Sequence, residues 1–141
     1  MLRIATPKDL DLIVDMAKKF ASSTSFSKHT DETYIKSLVT EFITGDTDNK
    51  VCLIYDNIGM LGGVKTPFMF GPVQVATEIA WWVDPEHRKN GVGEALIEAF
   101  EYWAKKVGCD LITMVCLEKD LGKYYESRGY KLYEYGYVKE I

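Results

Sequence analysis

Ile79-Ala-Trp-Trp-Val-Asp-Pro-Glu-His-Arg88-Lys-Asn-Gly91-Val-Gly93-Glu-Ala-Leu96 is the stretch that decides the fold. Its first part reads as the end of a strand over residues 75–84, stopped by Asp84-Pro85. Strict alternation would put Ile79, Trp81 and Val83 on one face and Glu78, Ala80 and Trp82 on the other. A short polar loop with two glycines follows, and a helix is expected over residues 90–107. Val92, Leu96, Ala99, Phe100, Trp103 and Val107 share its apolar stripe, and Gly108 stops it. A strand–loop–helix turn of this kind points the free N–H groups of the first helical turn into a cleft. Those donors, with the positive end of the helix dipole, suit a phosphate or pyrophosphate. Gly91 and Gly93 remove side chains where a ligand oxygen must approach the backbone, and Arg88 and Lys89 add positive charge at the rim.

Working outward, residues 2–5 read as a short strand closed by Thr6-Pro7, which opens a helix carrying Leu10, Ile13, Val14, Ala17 and Phe20 on one face. The polar run 22–31 reads as a loop. A second helix then carries Ile35, Leu38, Val39 and Phe42 on one face. Residues 51–55 and 60–65 flank the turn-rich Asp56-Asn57-Ile58-Gly59 and imply a hairpin. Beyond the central helix come a strand over 111–116, a helix over 118–127 closed by Gly129, and a final strand pair, 130–135 and 137–140, around Gly136. The order β-α-α-β-β-β-α-β-α-β-β defines an α/β (α+β) protein, expected to form one domain over residues 1–141.

Composition narrows the class. Hydrophobic residues make up 47% and charged residues 27% of the 141, which excludes a disordered, collagen-like or coiled-coil chain. Lys and Arg number 17 against 21 Asp and Glu. The net charge of -4 supplies no global field for nucleic acid or an anionic membrane, and neither is expected as a partner. Cys52, Cys109 and Cys116 show no metal-ligand spacing and read as reduced thiols, so no metal is expected. Acidic residues follow closely on Met1, and the apolar run at 79–83 is too short to cross a bilayer, so a cytoplasmic location is expected.

Two other nucleotide-loop readings fail on the letters. Gly122-Lys123 is followed by Tyr124 and has Leu117 where a Walker A loop needs its first Gly. Gly91-Val-Gly93-Glu-Ala is followed by Leu96 where a dinucleotide fingerprint needs Gly or Ala. Arg88-Lys-Asn-Gly91-Val-Gly93 instead resembles the [Arg/Gln]-x-x-Gly-x-[Gly/Ala] acetyl-CoA motif of the GCN5-related N-acetyltransferases, the GNAT superfamily. Tyr124-Tyr125-Glu126-Ser-Arg-Gly129-Tyr130 is similar to the family's Tyr-Glu-x-x-Gly-Phe segment, and the element order follows the family along nearly the whole chain.

The resemblance implies a single GNAT-type domain, a mixed sheet of about six to seven strands with helices on its faces. It implies acetyl-CoA as acetyl donor, its pyrophosphate on Arg88, Lys89, Asn90, Gly91, Val92 and Gly93. The pantetheine arm would run between splayed strands over 78–84 and 111–116, against the backbone of Trp82 and Val83. Glu78 falls where family members carry a general base, and Tyr125 falls on the family's general acid. The plain structural alternatives are a cross-strand ion pair for Glu78 and a packing aromatic for Tyr125. Glu118 stands where many members have a cofactor-contacting Asn and is also an alternative base. Cys116 reads as a structural thiol, because no His lies near it in sequence.

The implied partner is an amine-bearing small molecule, or a protein or peptide acceptor. Its recognition would come from the loops 22–30, 66–72 and 133–137, with Phe68, Phe70, Tyr133 and Tyr135 as candidate walls, or from a second copy of the chain in a homodimer. The expected function is acetyl transfer to an amine by direct attack in a ternary complex. The alternative is a catalytically silent GNAT-like module that binds CoA or a protein partner.

Overall fold

The computed structural model of the protein describes residues 1–117 and 119–141. The chain opens with β1 (Leu2–Ile4), and a tight turn at Pro7–Asp9 leads into α1 (Leu10–Ser22). Asp9 fixes that entry. It is buried, takes two guanidinium hydrogen bonds from Arg3 at 2.8 Å, and receives the Thr6 backbone N–H at 2.7 Å. The Arg3 bonds above all hold its carboxyl well below the usual carboxylate range. A turn at Ser27–His29 precedes α2 (Glu32–Ile43), whose cap is Asp31 accepting the Tyr34 N–H at 2.9 Å.

A meander of β2 (Lys50–Tyr55), β3 (Gly59–Pro67) and β4 (Gln74–Val83) follows, then α3 (Val92–Lys106), β5 (Leu111–Thr113) and α4 (Lys119–Ser127). Five strands form one sheet in the order β1-β2-β3-β4-β5, antiparallel throughout except for the parallel pair β4–β5. The architecture has three layers. α1 and α2 cover one face through Ile13, Val14, Met16, Val39 and Ile43, packed on Cys52, Ile54, Met60 and Trp82. α3 covers the other through Leu96, Ile97, Phe100 and Trp103, packed on Val51, Leu53, Leu61 and Val83, with Tyr125 of α4 beside them.

Three sequence expectations are corrected. Among the described residues the sheet has five strands rather than six or seven, because 130–135 and 137–140 form no strand pair. A strand needs a ladder partner, and β5 is only three residues long. Leu132, Tyr133, Tyr135, Tyr137 and Val138 are accordingly exposed, and Glu140 ties the segment to Lys28 and His29 at the α1–α2 connection. β5 itself ends at Thr113, not 116, since the chain turns away from β4 there. Finally, α3 starts at Val92, because Lys89 (φ 65°) and Gly91 (φ 84°) take left-handed backbone that no helix continues.

The alternation in β4 is interrupted as well. Gly63 pairs with Glu78 and Gly62 with Ala80, leaving Ile79 as a bulged residue with no partner in β3. Side-chain parity flips there: Ala76 packs in the α3 layer, whereas Ala80 and Trp82 face α1 and α2. At this point β3 must be bare, because a Cβ on Gly63 would fall inside the Phe100 ring. Gly63→Ala is therefore expected to lower stability by about 1–3 kcal/mol through overpacking. A urea midpoint unchanged from wild type would show that Phe100 can move aside.

Candidate active site

β4 and β5 pair only over Val75–Leu111, Ala76–Ile112 and Thr77–Thr113, after which they part. From Glu78 to Val83 the β5-facing edge of β4 has no strand beside it. A cleft of about 950 Å³ occupies the gap, walled by β4, residues 115–117, the 88–94 turn and the first half of α4.

Glu78 lies at the apex. It is 4% exposed, has no ion-pair partner among the described residues, and accepts one long hydrogen bond, from the Val115 N–H at 3.4 Å. Burial pushes its carboxyl up from the ordinary 4.5 to about 7, and the Val115 bond opposes this only weakly. Among the described residues, the cross-strand ion pair that is its structural alternative does not form.

Tyr125 is buried, and its hydroxyl donates to the Val115 carbonyl at 2.8 Å. Burial, and then the Glu78 charge, raise its pKa so that it holds its proton throughout the physiological range. The two residues thus meet on opposite ends of one residue's backbone. Tyr124, however, is the tyrosine that lines the cleft, and its hydroxyl is enclosed with no hydrogen-bond partner among the described residues. The sequence signal for this is the turn of a helix: neighbouring residues project about 100° apart.

At the other end of the cleft, the N–H groups of Val92, Gly93 and Glu94 begin α3 without intrahelical acceptors, the first intrahelical bond being Ala95 N–H to Gly91 O at 3.0 Å. Nothing lies within 4 Å of where a Gly91 Cβ would be, and Gly91, Gly93, Arg88 and Lys89 all line the cleft. Arg88 is folded back: Nε donates to Val83 O at 2.8 Å, and the guanidinium sits 4.8 Å from the Trp82 ring centroid. Trp82 donates its indole N–H to buried Asp84 at 2.9 Å, and Lys19 of α1 approaches the same carboxylate at 3.6 Å. Val92 turns its side chain into the core and can offer only backbone to the cleft. Glu118, named from the sequence as cofactor contact and alternative base, lies outside the described residues. Trp81, Glu94, Asp120 and Leu121 also line the cleft and were not singled out from the sequence.

The aromatic walls expected from the connecting loops are placed differently. Phe68 and Phe70 stack edge-to-face on each other with centroids 5.7 Å apart, and Phe70 is exposed. Tyr133 and Tyr135 are exposed on the C-terminal segment. The aromatic side chain at the cleft from the α1–α2 layer is Phe20, which packs 6.1 Å from Trp82. Among the described residues, no helix is long and apolar enough to cross a membrane, and no cluster of three His, Cys, Asp or Glu could hold a metal.

The sheet thus splits between two parallel strands, and the N-terminus of α3 borders the cleft at the split. The sequence model described as Acetyltransferase (GNAT) family matches residues 13–130, and the chain belongs to that family. No curated protein matches the chain in sequence. Solved structures share the fold. A transcriptional regulator from Bacillus halodurans C-125 is 23% identical with TM-score 0.80, all of this chain aligning with 99% of that one. A GNAT family acetyltransferase from Staphylococcus aureus subsp. aureus USA300_TCH1516 is 21% identical with TM-score 0.72, covering 100% and 98% of the two chains. AAC(6′)-Iy, solved with the bisubstrate analogue CoA-S-monomethyl-acetylneamine, is 17% identical with TM-score 0.77, covering 100% and 97%.

The raised Glu78 pKa has a consequence for stability. Between about pH 4.5 and 7 the folded protein holds a proton that the unfolded chain has released, so stability falls as pH rises through that window. The full effect is about 3 kcal/mol. Urea denaturation at pH 5 and pH 7.5 is expected to show this loss in wild type and not in Glu78→Gln. Parallel profiles for the two proteins would mean that Glu78 titrates normally.

Proposed function

We propose that this protein is an acetyl-CoA-dependent N-acetyltransferase that moves an acetyl group to an amine by direct transfer in a ternary complex. The observation that carries this reading is Glu78, a buried carboxylate without a cation, placed where two parallel strands separate. Residues at the far end of the cleft fit an anionic CoA. The open space over Gly91, the N–H groups of Val92, Gly93 and Glu94, and the cations of Arg88 and Lys89 would hold its pyrophosphate, with Asn90 exposed on the same turn though not in the cleft wall. The unpaired β4 edge at Trp82 and Val83 would receive the amides of its arm. Glu118 would contact it as the sequence implies. Acetyl-CoA, when bound, supplies an acyl thioester whose C–S bond breaks as the new C–N bond forms.

Glu78 receives the proton that an ammonium acceptor must lose before its nitrogen can attack, and a pKa near 7 suits that task at neutral pH. Tyr125, kept protonated by burial, returns a proton to the departing sulfur. The position of Tyr124 in the cleft wall supports a second reading in which that neighbour is the donor.

The test measures CoA release over pH with a panel of amines. Wild-type kcat is expected to rise through pH 7. Glu78→Gln should lower kcat about 100-fold or more, remove that rise, and leave CoA affinity within about twofold of wild type. A pH profile shared by both proteins would exclude Glu78 as the base. CoA binding without turnover of any amine would instead indicate a silent CoA-binding module.

Tyr125→Phe and Tyr124→Phe separate the two proton donors. The true donor's variant should lose about 10²-fold or more in kcat at unchanged CoA affinity. Equal, small losses in both would assign neither.

A further inference from the structure

A second cavity, of about 400 Å³, lies beside the cleft between α1, α2 and the sheet face formed by Cys52, Met60 and Ala80. Phe20, Thr24 and Ile79 line both spaces, so the two share a wall at the point where Glu78 ends the strand pairing. Ile79, the bulged residue of β4, stands at this junction, with Glu78 in the cleft one residue away.

The lining is mostly carbon, and three of its polar residues are already engaged. Asp31, the carboxylate on this wall, caps α2 by accepting the Tyr34 N–H; Thr24 donates to Ala21 O at 2.8 Å; and His29 pairs with Glu140 at 2.9 Å. Yet large apolar side chains stand open to solvent around it. Ile79 is 45%, Leu38 42% and Tyr34 70% exposed. Concentrated exposure of this kind marks a surface that something covers, and the volume is that of a small-ligand site.

We propose that the acceptor is a small, singly charged primary amine with an apolar, ring-bearing body. This rests on the N-acetyltransferase reading above. The ammonium sits at Glu78, and the body crosses the Ile79 junction into the α1–α2 cavity. Charge selects the class: one cationic head meets the buried carboxyl of Glu78, whereas a polycation would carry further ammonium groups past Phe20, Phe42, Leu38 and Val39, with the exposed, α2-capping Asp31 as the carboxylate on that wall. Burying an unpaired charge there is strongly unfavourable.

The test uses 2-phenylethylamine and spermidine as probes. Calorimetry on the CoA-saturated protein is expected to show 2-phenylethylamine binding at least tenfold tighter than spermidine, with the same order in kcat/KM. Leu38→Glu, on the exposed rim of α2, should weaken 2-phenylethylamine at least tenfold in Kd and KM, leave CoA affinity unchanged, and be reversed by Leu38→Met. Absent or equal binding of 2-phenylethylamine, or no response to Leu38→Glu, overturns the proposal while CoA binding leaves the acetyltransferase reading standing. Failure to bind CoA overturns that reading instead. Sedimentation velocity covers the other occupant: a dimer that Leu38→Glu dissociates would mean that a second copy of the chain fills the cavity.

Discussion

The parting of β4 from β5 after three residue pairs is the constraint on which the site depends. While the strands pair, their backbone groups satisfy each other and nothing can enter. Once they separate, β4 keeps β3 on one side and offers its other edge to the cleft. Val115 then spans the opening, its N–H directed to Glu78 and its carbonyl to Tyr125. Val115, two residues beyond the end of the ladder, therefore contacts both groups proposed for proton transfer. This also explains why β5 is short: extending it by two residues would use Val115 in the ladder and close the cleft.

Two buried carboxylates in this chain show how environment sets the outcome. Asp9 and Glu78 both have little exposed surface, but Glu78 lies much deeper; the first is held well below the usual carboxylate range and the second is shifted to about 7. Asp9 receives two bonds from a guanidinium and a short backbone N–H bond, which together outweigh its desolvation. Glu78 has one donor at 3.4 Å, beyond the usual N–H···O range, so desolvation dominates. The first arrangement anchors β1 to α1. The second leaves a carboxyl able to exchange a proton at neutral pH, which is of little structural use and fits a chemical one.

Much of this was legible in the sequence because it was local. The Asp84-Pro85 stop, the two glycines of the 88–93 turn and the stripe of α3 are determined by neighbours in the chain, and the element order through α4 follows from such signals. What was not legible depended on partners distant in sequence. The alternation at 130–140 looks like strand, but β5 offers too short a ladder to pair with it. Helical spacing shows that Tyr124 and Tyr125 point apart, but which of them meets the cleft depends on how α4 is rotated against it. The walls of the second cavity come from α2, whose residues read only as a helix face packed on a core.

The bulge at Ile79 illustrates how one such non-local feature links fold and site. Bare backbone at Gly63 lets the Phe100 ring of α3 press against β3, and the register slips by one residue beside it. The slip reverses the parity of the rest of β4. Trp82 is thereby delivered to the α1 side, where Phe20 packs on it, Asp84 takes its indole N–H and Arg88 covers its ring. Without the slip, Trp82 would face α3, and the end of β4 would lose the contacts that hold the 84–88 turn against α1. The α1-side position of Trp82, and with it the contacts that Asp84 and Arg88 make to its ring, thus follow from one extra residue in one strand.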